Sequence, residues 1–267
     1  MAARTIVVGN EKGGAGKSTL AIHIATGLMH AGASVAVIDL DVRQRSMGRF
    51  FENRHTWLSR NGENAPEPLV VDPGAAGVVS LDAVQRFNEA FDTARGQVDY
   101  LLIDTPGGDT PLSRAAHGKA DQIVTPMNDS FVDFDMLGQV DPVTLDLLKP
   151  SVYAEAVWDA RKAKAIAERG SIDWVVLRNR LAPTEAKNRR RLDERVEALA
   201  KRVGFRNGPG LRDRVIYREL FPFGLTVADL SPSIRPVAMS LSHVAARQEL
   251  RSLMQCLGLE EALDQAA

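Results

Sequence analysis

Ten residues near the start of the chain, Asn10-Glu11-Lys12-Gly13-Gly14-Ala15-Gly16-Lys17-Ser18-Thr19, have the types and spacing of a phosphate cradle. Glycines let a backbone turn its N–H groups inward and approach an anion with no Cβ in the way. A helix starting directly after them adds a partial positive charge at the same point. Lys17 would then reach the outer phosphates of a nucleotide, and Ser18 would hold a Mg²⁺ ion. Gly13, Gly14, Ala15, Gly16, Lys17, Ser18 and Thr19 are the expected nucleotide-binding set. The run departs from the GxxxxGK[ST] pattern, because Glu11 occupies the place of the first glycine and an extra lysine, Lys12, precedes the others.

Two acidic positions accompany the loop. Val37-Ile38-Asp39-Leu40-Asp41 ends an apolar run with two carboxylates two apart, which on a strand face one crevice. Either carboxylate could instead cap the next turn. Asp104-Thr105-Pro106-Gly107-Gly108 follows a second apolar run, and its glycines permit a loop that moves. Asn179 follows a third run, at a position where asparagine also makes its own turn.

Short β-branched runs at Thr5–Val8, Ser34–Ile38, Tyr100–Ile103, Gln122–Thr125 and Trp174–Leu177 are apolar almost throughout, as strands buried on both faces should be. Lys17–Ala31 spaces Leu20, Ile24 and Leu28 as a helix closed by Gly32, and makes a βαβ unit with its flanking runs. The Pro- and Gly-rich stretch Arg60–Gly77 reads as loops around a short strand at Leu69–Val71. The expected fold is α/β, a doubly wound, mostly parallel sheet, with residues 1–267 as one P-loop NTPase domain.

Composition is that of an ordinary globular chain, with 45% hydrophobic and 25% charged residues, which excludes disorder and fibrous repeats. A net charge of −1 means that nucleic-acid binding needs a local patch. One cysteine, Cys256, forms no intrachain disulfide, and the N-terminal apolar run is too short for a secretion signal, so a cytoplasmic protein is expected.

Lys12-Gly-Gly-Ala-Gly-Lys-Ser18 matches KGGxGK[ST], and with it the chain resembles the deviant Walker A ATPases of the ParA/MinD group. Val8–Ser18, Thr125–Gly138 and Gly208–Gly224 look like the MipZ family within that group, ATPases that position the division plane. The resemblance implies ATP and Mg²⁺ as cofactors and a homodimer in the ATP-bound state. Lys12 would reach across to the partner's phosphates, Lys17 would act on its own, and Asp41 would orient the attacking water. Asp39 and Asp104 would join Ser18 around Mg²⁺, and Asn179 would recognise adenine. It further implies weak ATPase activity, inhibition of FtsZ polymerisation, contact with ParB, and sequence-independent DNA binding at the nucleoid.

A basic segment supports the last point independently. Glu185–Arg218 holds 11 Lys and Arg against 5 Asp and Glu. On a helix over Glu185–Val203, Leu192, Val196, Leu199 and Val203 form an apolar face, and Lys187, Arg191, Arg195 and Arg202 line a neighbouring stripe that could track phosphates. The competing reading is a solvated face with Arg–Glu pairs.

Four other functions compete with this one. A ParA-type partition ATPase differs only in cargo. A MinD-type membrane regulator needs a basic amphipathic tail, whereas Gln248–Ala267 combines Leu250, Leu253, Met254 and Leu257 with Glu260, Glu261 and Asp264, so no membrane partner is expected. An iron–sulfur reductase needs two cysteines per subunit. A carboxylate-activating synthetase would need a substrate constellation that the residues do not offer. Phe131, Phe134, Met136 and Leu137, around Asp133 and Asp135, either form an interaction loop or pack under the crevice.

Overall fold

The computed structural model describes residues 2–74, 82–128, 133, 135–141, 147–179, 194, 196–231, 234, 236 and 241–259. In chain order the elements are β1 (Arg4–Val8), α1 (Lys17–His30), β2 (Val35–Asp39), α2 (Ser46–Asn61), β3 (Leu69–Val71), α3 (Ala83–Arg95), β4 (Tyr100–Asp104), α4 (Pro111–Lys119) and β5 (Gln122–Asn128). They continue with β6 (Gly138–Val140), β7 (Leu147–Pro150), α5 (Val152–Glu168), β8 (Asp173–Asn179), a π-helical turn at Ala200–Gly204, β9 (Arg206–Pro209), α6 (Val215–Leu220), a 3₁₀ turn at Phe221–Phe223 and α7 (Leu241–Cys256). Among the described residues, seven strands form one sheet in the order β3-β2-β4-β1-β5-β8-β9, and every pairing in it is parallel. β6 and β7 pair antiparallel as a separate ribbon.

Alternation along each strand divides the core between two faces. Ile6, Val8, Val37, Leu102, Val124 and Val175 pack with α1, α2, α6 and α7. Val7, Ala36, Ile38, Ile103, Ile123 and Val176 pack with α3, α4 and α5 on the other side. The doubly wound sheet expected from the apolar runs is the one that forms. On α7, Leu250, Leu253 and Met254 are buried, as is Leu257 just beyond it. The backbone carbonyls of Cys256, Leu257 and Gly258 receive hydrogen bonds from Arg206, Gln122 and Arg4. That segment is thus docked against the starts of three strands, while residues 260–267 lie outside the described set.

Two histidines lie wholly inside this core: His23 of α1, edge-on to Tyr217, and His117 of α4, edge-on to Tyr153. Burial lowers both pKa values from the ordinary 6.5 to about 4. The unfolded chain takes up these protons at a higher pH than the folded one. Stability is therefore complete above pH 6.5 and falls as pH drops towards 4, by on the order of 3 kcal/mol per histidine. His117→Leu is expected to flatten this acid limb in urea midpoints measured against pH. An unchanged slope would contradict the assignment.

Candidate nucleotide site

The register sets three strand ends level, since Asp104 of β4 pairs with Val8 of β1 on one side and with Asp39 of β2 on the other. From here α1 leaves to one face of the sheet and α4 to the opposite one. Such a reversal opens a crevice at the carboxyl ends of the strands. It holds a cleft of about 780 Å³ lined by Glu11, Gly13, Gly14 and Gly16–Thr19 of the loop, by Asp41, Arg43 and Gln44, by Pro106–Gly108 and by Phe221.

The loop is shaped for an anion. Gly16 begins α1 at φ 87°, in the left-handed region, and a Cβ there would run into the Asn179 side-chain amide. Helices α3, α4 and α5 are each capped by a side chain, from Asp82, Thr110 and Ser151 respectively. α1 has no side-chain cap, so its first-turn N–H groups are left for a ligand. Upstream, Asn10 accepts from the Lys12 N–H at 2.7 Å and donates to the carbonyl of Pro126. Lys17 is buried, and its Nζ donates to the Lys12 carbonyl at 3.0 Å. Burial lowers its pKa, with Asp104 and Asp41 opposing the shift.

Asp104 is 1% exposed, and neither carboxylate oxygen has a hydrogen-bond partner among the described residues. Burial pushes its pKa up to about 7, with the neighbouring Ser18 hydroxyl, which falls short of hydrogen-bond geometry, and Lys17 pulling against the shift. An orphaned buried carboxylate beside a serine at a helix start fits a hydrated Mg²⁺ ion shared with phosphate oxygens. Asp39 is engaged differently. Its Oδ1 accepts from the Asp41 N–H and its Oδ2 from those of Met47 and Gly48, each at 3.0 Å. It closes the N-terminus of α2, the capping alternative that the sequence left open. Asp41 lines the cleft, its Oδ1 accepting from the Gln44 N–H at 3.2 Å.

Lys12 lies within its own chain. Its Nζ is 2.6 Å from Asp133 Oδ1, and Asp133 Oδ2 accepts from the Asn128 N–H at 3.1 Å. No motif or spacing pairs these two residues. Asn179 also serves structure, donating to the Ala15 carbonyl at 2.9 Å and accepting from the Leu211 N–H at 3.0 Å. Beside it Gly16, Thr19, Leu211, Arg212 and Tyr217 line a small recess. Met136 and Leu137 are buried, the packing alternative for that segment, while Phe131 and Phe134 lie outside the described residues. So do Lys187, Arg191 and Arg195 of the basic stripe. Its remaining member, Arg202, is exposed on the π-helical turn, and Val196, Leu199 and Val203 are buried as the apolar face requires.

A family model described as ATPase MipZ matches residues 4–261. The chain belongs to the MipZ ATPase family. The chain is similar in fold to distant solved structures: apo McdA of Cyanothece, with a TM-score of 0.61 and 18% identity over 96% of this chain and all of that one, and the septum site-determining protein MinD of Pyrococcus horikoshii OT3 complexed with Mg-ADP, with a TM-score of 0.53 and 16% identity over 93% and 94% of the two chains. At these identities the likeness shows the fold alone. A curated relative, the iron–sulfur cluster carrier protein of Deinococcus radiodurans, is 29% identical over 119 residues, 39% of this chain and 33% of that protein. The matches to the first curated relatives span a third to just over half of those proteins' lengths.

Proposed function

We propose that this chain is an ATP-driven switch, one domain over residues 1–267, that dimerises with ATP bound and inhibits FtsZ polymerisation. In this reading it contacts ParB, binds DNA without sequence preference, and works in the cytoplasm at the nucleoid. The observation that supports this reading best is the MipZ family match across residues 4–261. It coincides with a cleft whose uncapped helix start and orphaned Asp104 suit a Mg²⁺–nucleotide.

ATP supplies the phosphoryl group that water takes. Loop amides from Gly13 to Thr19 and the Lys17 ammonium would bind its phosphates, Ser18 and Asp104 would hold a Mg²⁺ ion that offsets phosphate charge, and Asp39 keeps the adjoining segment in place. Asn179 borders the recess for the adenine, and Asp41 orients the water. The Lys12 side chain is 41% exposed and pairs with Asp133, whose side chain is 10% exposed. In the dimer, the higher charge of a partner's triphosphate takes the ammonium from that carboxylate. Dimerisation then follows the nucleotide. Lys187, Arg191, Arg195 and Arg202 supply phosphate contacts to DNA.

A ParA-type partition ATPase shares these residues and differs in cargo, so FtsZ decides between them. With Asp41→Ala protein and ATP present, sedimented FtsZ polymer should fall, and with ADP it should not. Unchanged polymer from a protein that still dimerises and binds DNA would leave the partition reading.

A further inference from the structure

Behind the phosphate loop runs a buried series of hydrogen bonds whose direction is forced. Trp174 Nε1 donates to Thr125 Oγ1 at 3.0 Å, Thr125 Oγ1 lies 2.8 Å from the Tyr153 hydroxyl, and that hydroxyl donates to the Gly9 carbonyl at 2.8 Å. An indole N–H only donates and a carbonyl only accepts. Thr125 must therefore donate to Tyr153, and Tyr153 to Gly9. Each donor polarises the next, and all three side chains are buried.

The relay ends where β1 becomes the loop. The Gly9 N–H donates to the Val124 carbonyl at 3.0 Å. A Cβ on Gly9 would lie 2.6 Å from His117 Nε2 and 3.1 Å from the Tyr153 hydroxyl, so the backbone is pressed against this cluster. Farther along, a Cβ on Gly13 or Gly14 would meet nothing within 4 Å. Between its ends the loop is held at the Lys12 peptide, whose N–H donates to the Asn10 side chain and whose carbonyl accepts from Lys17 Nζ. Asn179 holds the far end through the Ala15 carbonyl, and Tyr153 holds the near one through Gly9.

We propose that Tyr153 is a positioning residue of the nucleotide site, its hydroxyl fixing the Gly9 peptide and through it the aim of the loop amides at the phosphates. This rests on the nucleotide reading above. Loop amides hold the phosphates alike before and during reaction, so the effect belongs in KM and not in kcat.

The test is Tyr153→Phe, which keeps the ring and removes the hydroxyl. Its Kd and KM for Mg–ATP should rise about tenfold, the change that loss of one buried hydrogen bond corresponds to, with kcat within about twofold of wild type. Amide exchange over residues 9–16 should quicken in the nucleotide-free protein. Thr125→Val, which removes the donor to Tyr153 and leaves the Gly9 bond, should shift KM in the same direction by less. Wild-type KM in both variants with lowered Tm would show Tyr153 to be purely structural and overturn the proposal. If Tyr153→Phe does not fold, Thr125→Val carries the test, and a wild-type KM there overturns the proposal. Wild-type protein that binds no ATP would overturn the nucleotide reading itself, a result distinct from an altered variant.

Discussion

Asp41→Ala is expected to slow ATP hydrolysis by roughly 10²–10⁴-fold, the usual share of a group that orients or deprotonates a nucleophile, while ATP still binds. In the proposed site the phosphate contacts would lie elsewhere, on the loop and on Lys17, and the cation would fall to Ser18 and Asp104. Asp41 stands across the cleft, and its tie to the backbone through Gln44 is a single long hydrogen bond of 3.2 Å. Its removal should leave the α2 start intact, because Asp39 and not Asp41 accepts the N–H groups of Met47 and Gly48. With turnover stopped, the protein should accumulate as an ATP dimer. Lys12→Ala is the counterpart: on the proposed role of Lys12 in reaching the partner's phosphates, it should bind ATP and remain monomeric. Single-turnover phosphate release with sedimentation velocity reads both. Rapid hydrolysis by Asp41→Ala, or ATP-dependent dimers of Lys12→Ala, would overturn the scheme.

What the sequence made legible was governed by local rules. Apolar runs with both faces buried show as β-branched stretches, and β1, β2, β4, β5 and β8 all lie where such runs are. β5 runs three residues past Thr125, where the apolar run ends, for a reason that lies outside the strand. The Val124 and Pro126 carbonyls point to the β1 side, accepting from the Gly9 N–H and the Asn10 side chain. β1 has turned into the loop by then, so the missing proline N–H breaks no ladder bond. β9, Arg-Asn-Gly-Pro, carries no apolar pattern, since it is an edge strand whose register comes from β8. In the site, the loop, Asp41 and Asp104 were legible because each follows a strand end. Asp133 and Tyr153 were not, because their partners Lys12 and Gly9 lie 121 and 144 residues away in sequence. No periodicity records such pairings.

A larger effect on stability is expected at a residue that no motif marks. Arg54→Met should cost about 3–5 kcal/mol and lower Tm by roughly 5–10 °C. Arg54 lies in α2 and is wholly buried. Its guanidinium donates to the Pro66 carbonyl at 2.9 Å, to the Gly224 carbonyl at 3.0 Å and to Asp229 Oδ1 at 2.7 Å. Asp229 also receives His30 Nε2 at 2.6 Å and both the N–H and the hydroxyl of Thr226. Burial works to raise the pKa of Asp229, but the hydrogen bonds and charges of His30 and Arg54 outweigh it and hold the carboxyl well below its usual range. Methionine fills the space of the arginine stem and leaves that carboxylate without its main countercharge, along with two carbonyls that lose their donors. The loss should reach the cleft, because Arg54 joins α2 to the segment whose Phe221 lines it. Arg54→Met combined with Asp229→Leu removes both charges and should recover part of the stability, since a buried pair replaced as a pair is often close to neutral. Chemical denaturation of the two variants separates a lost countercharge from lost packing. A cost below about 1 kcal/mol for Arg54→Met alone would mean that water reaches Asp229 and that the network braces nothing.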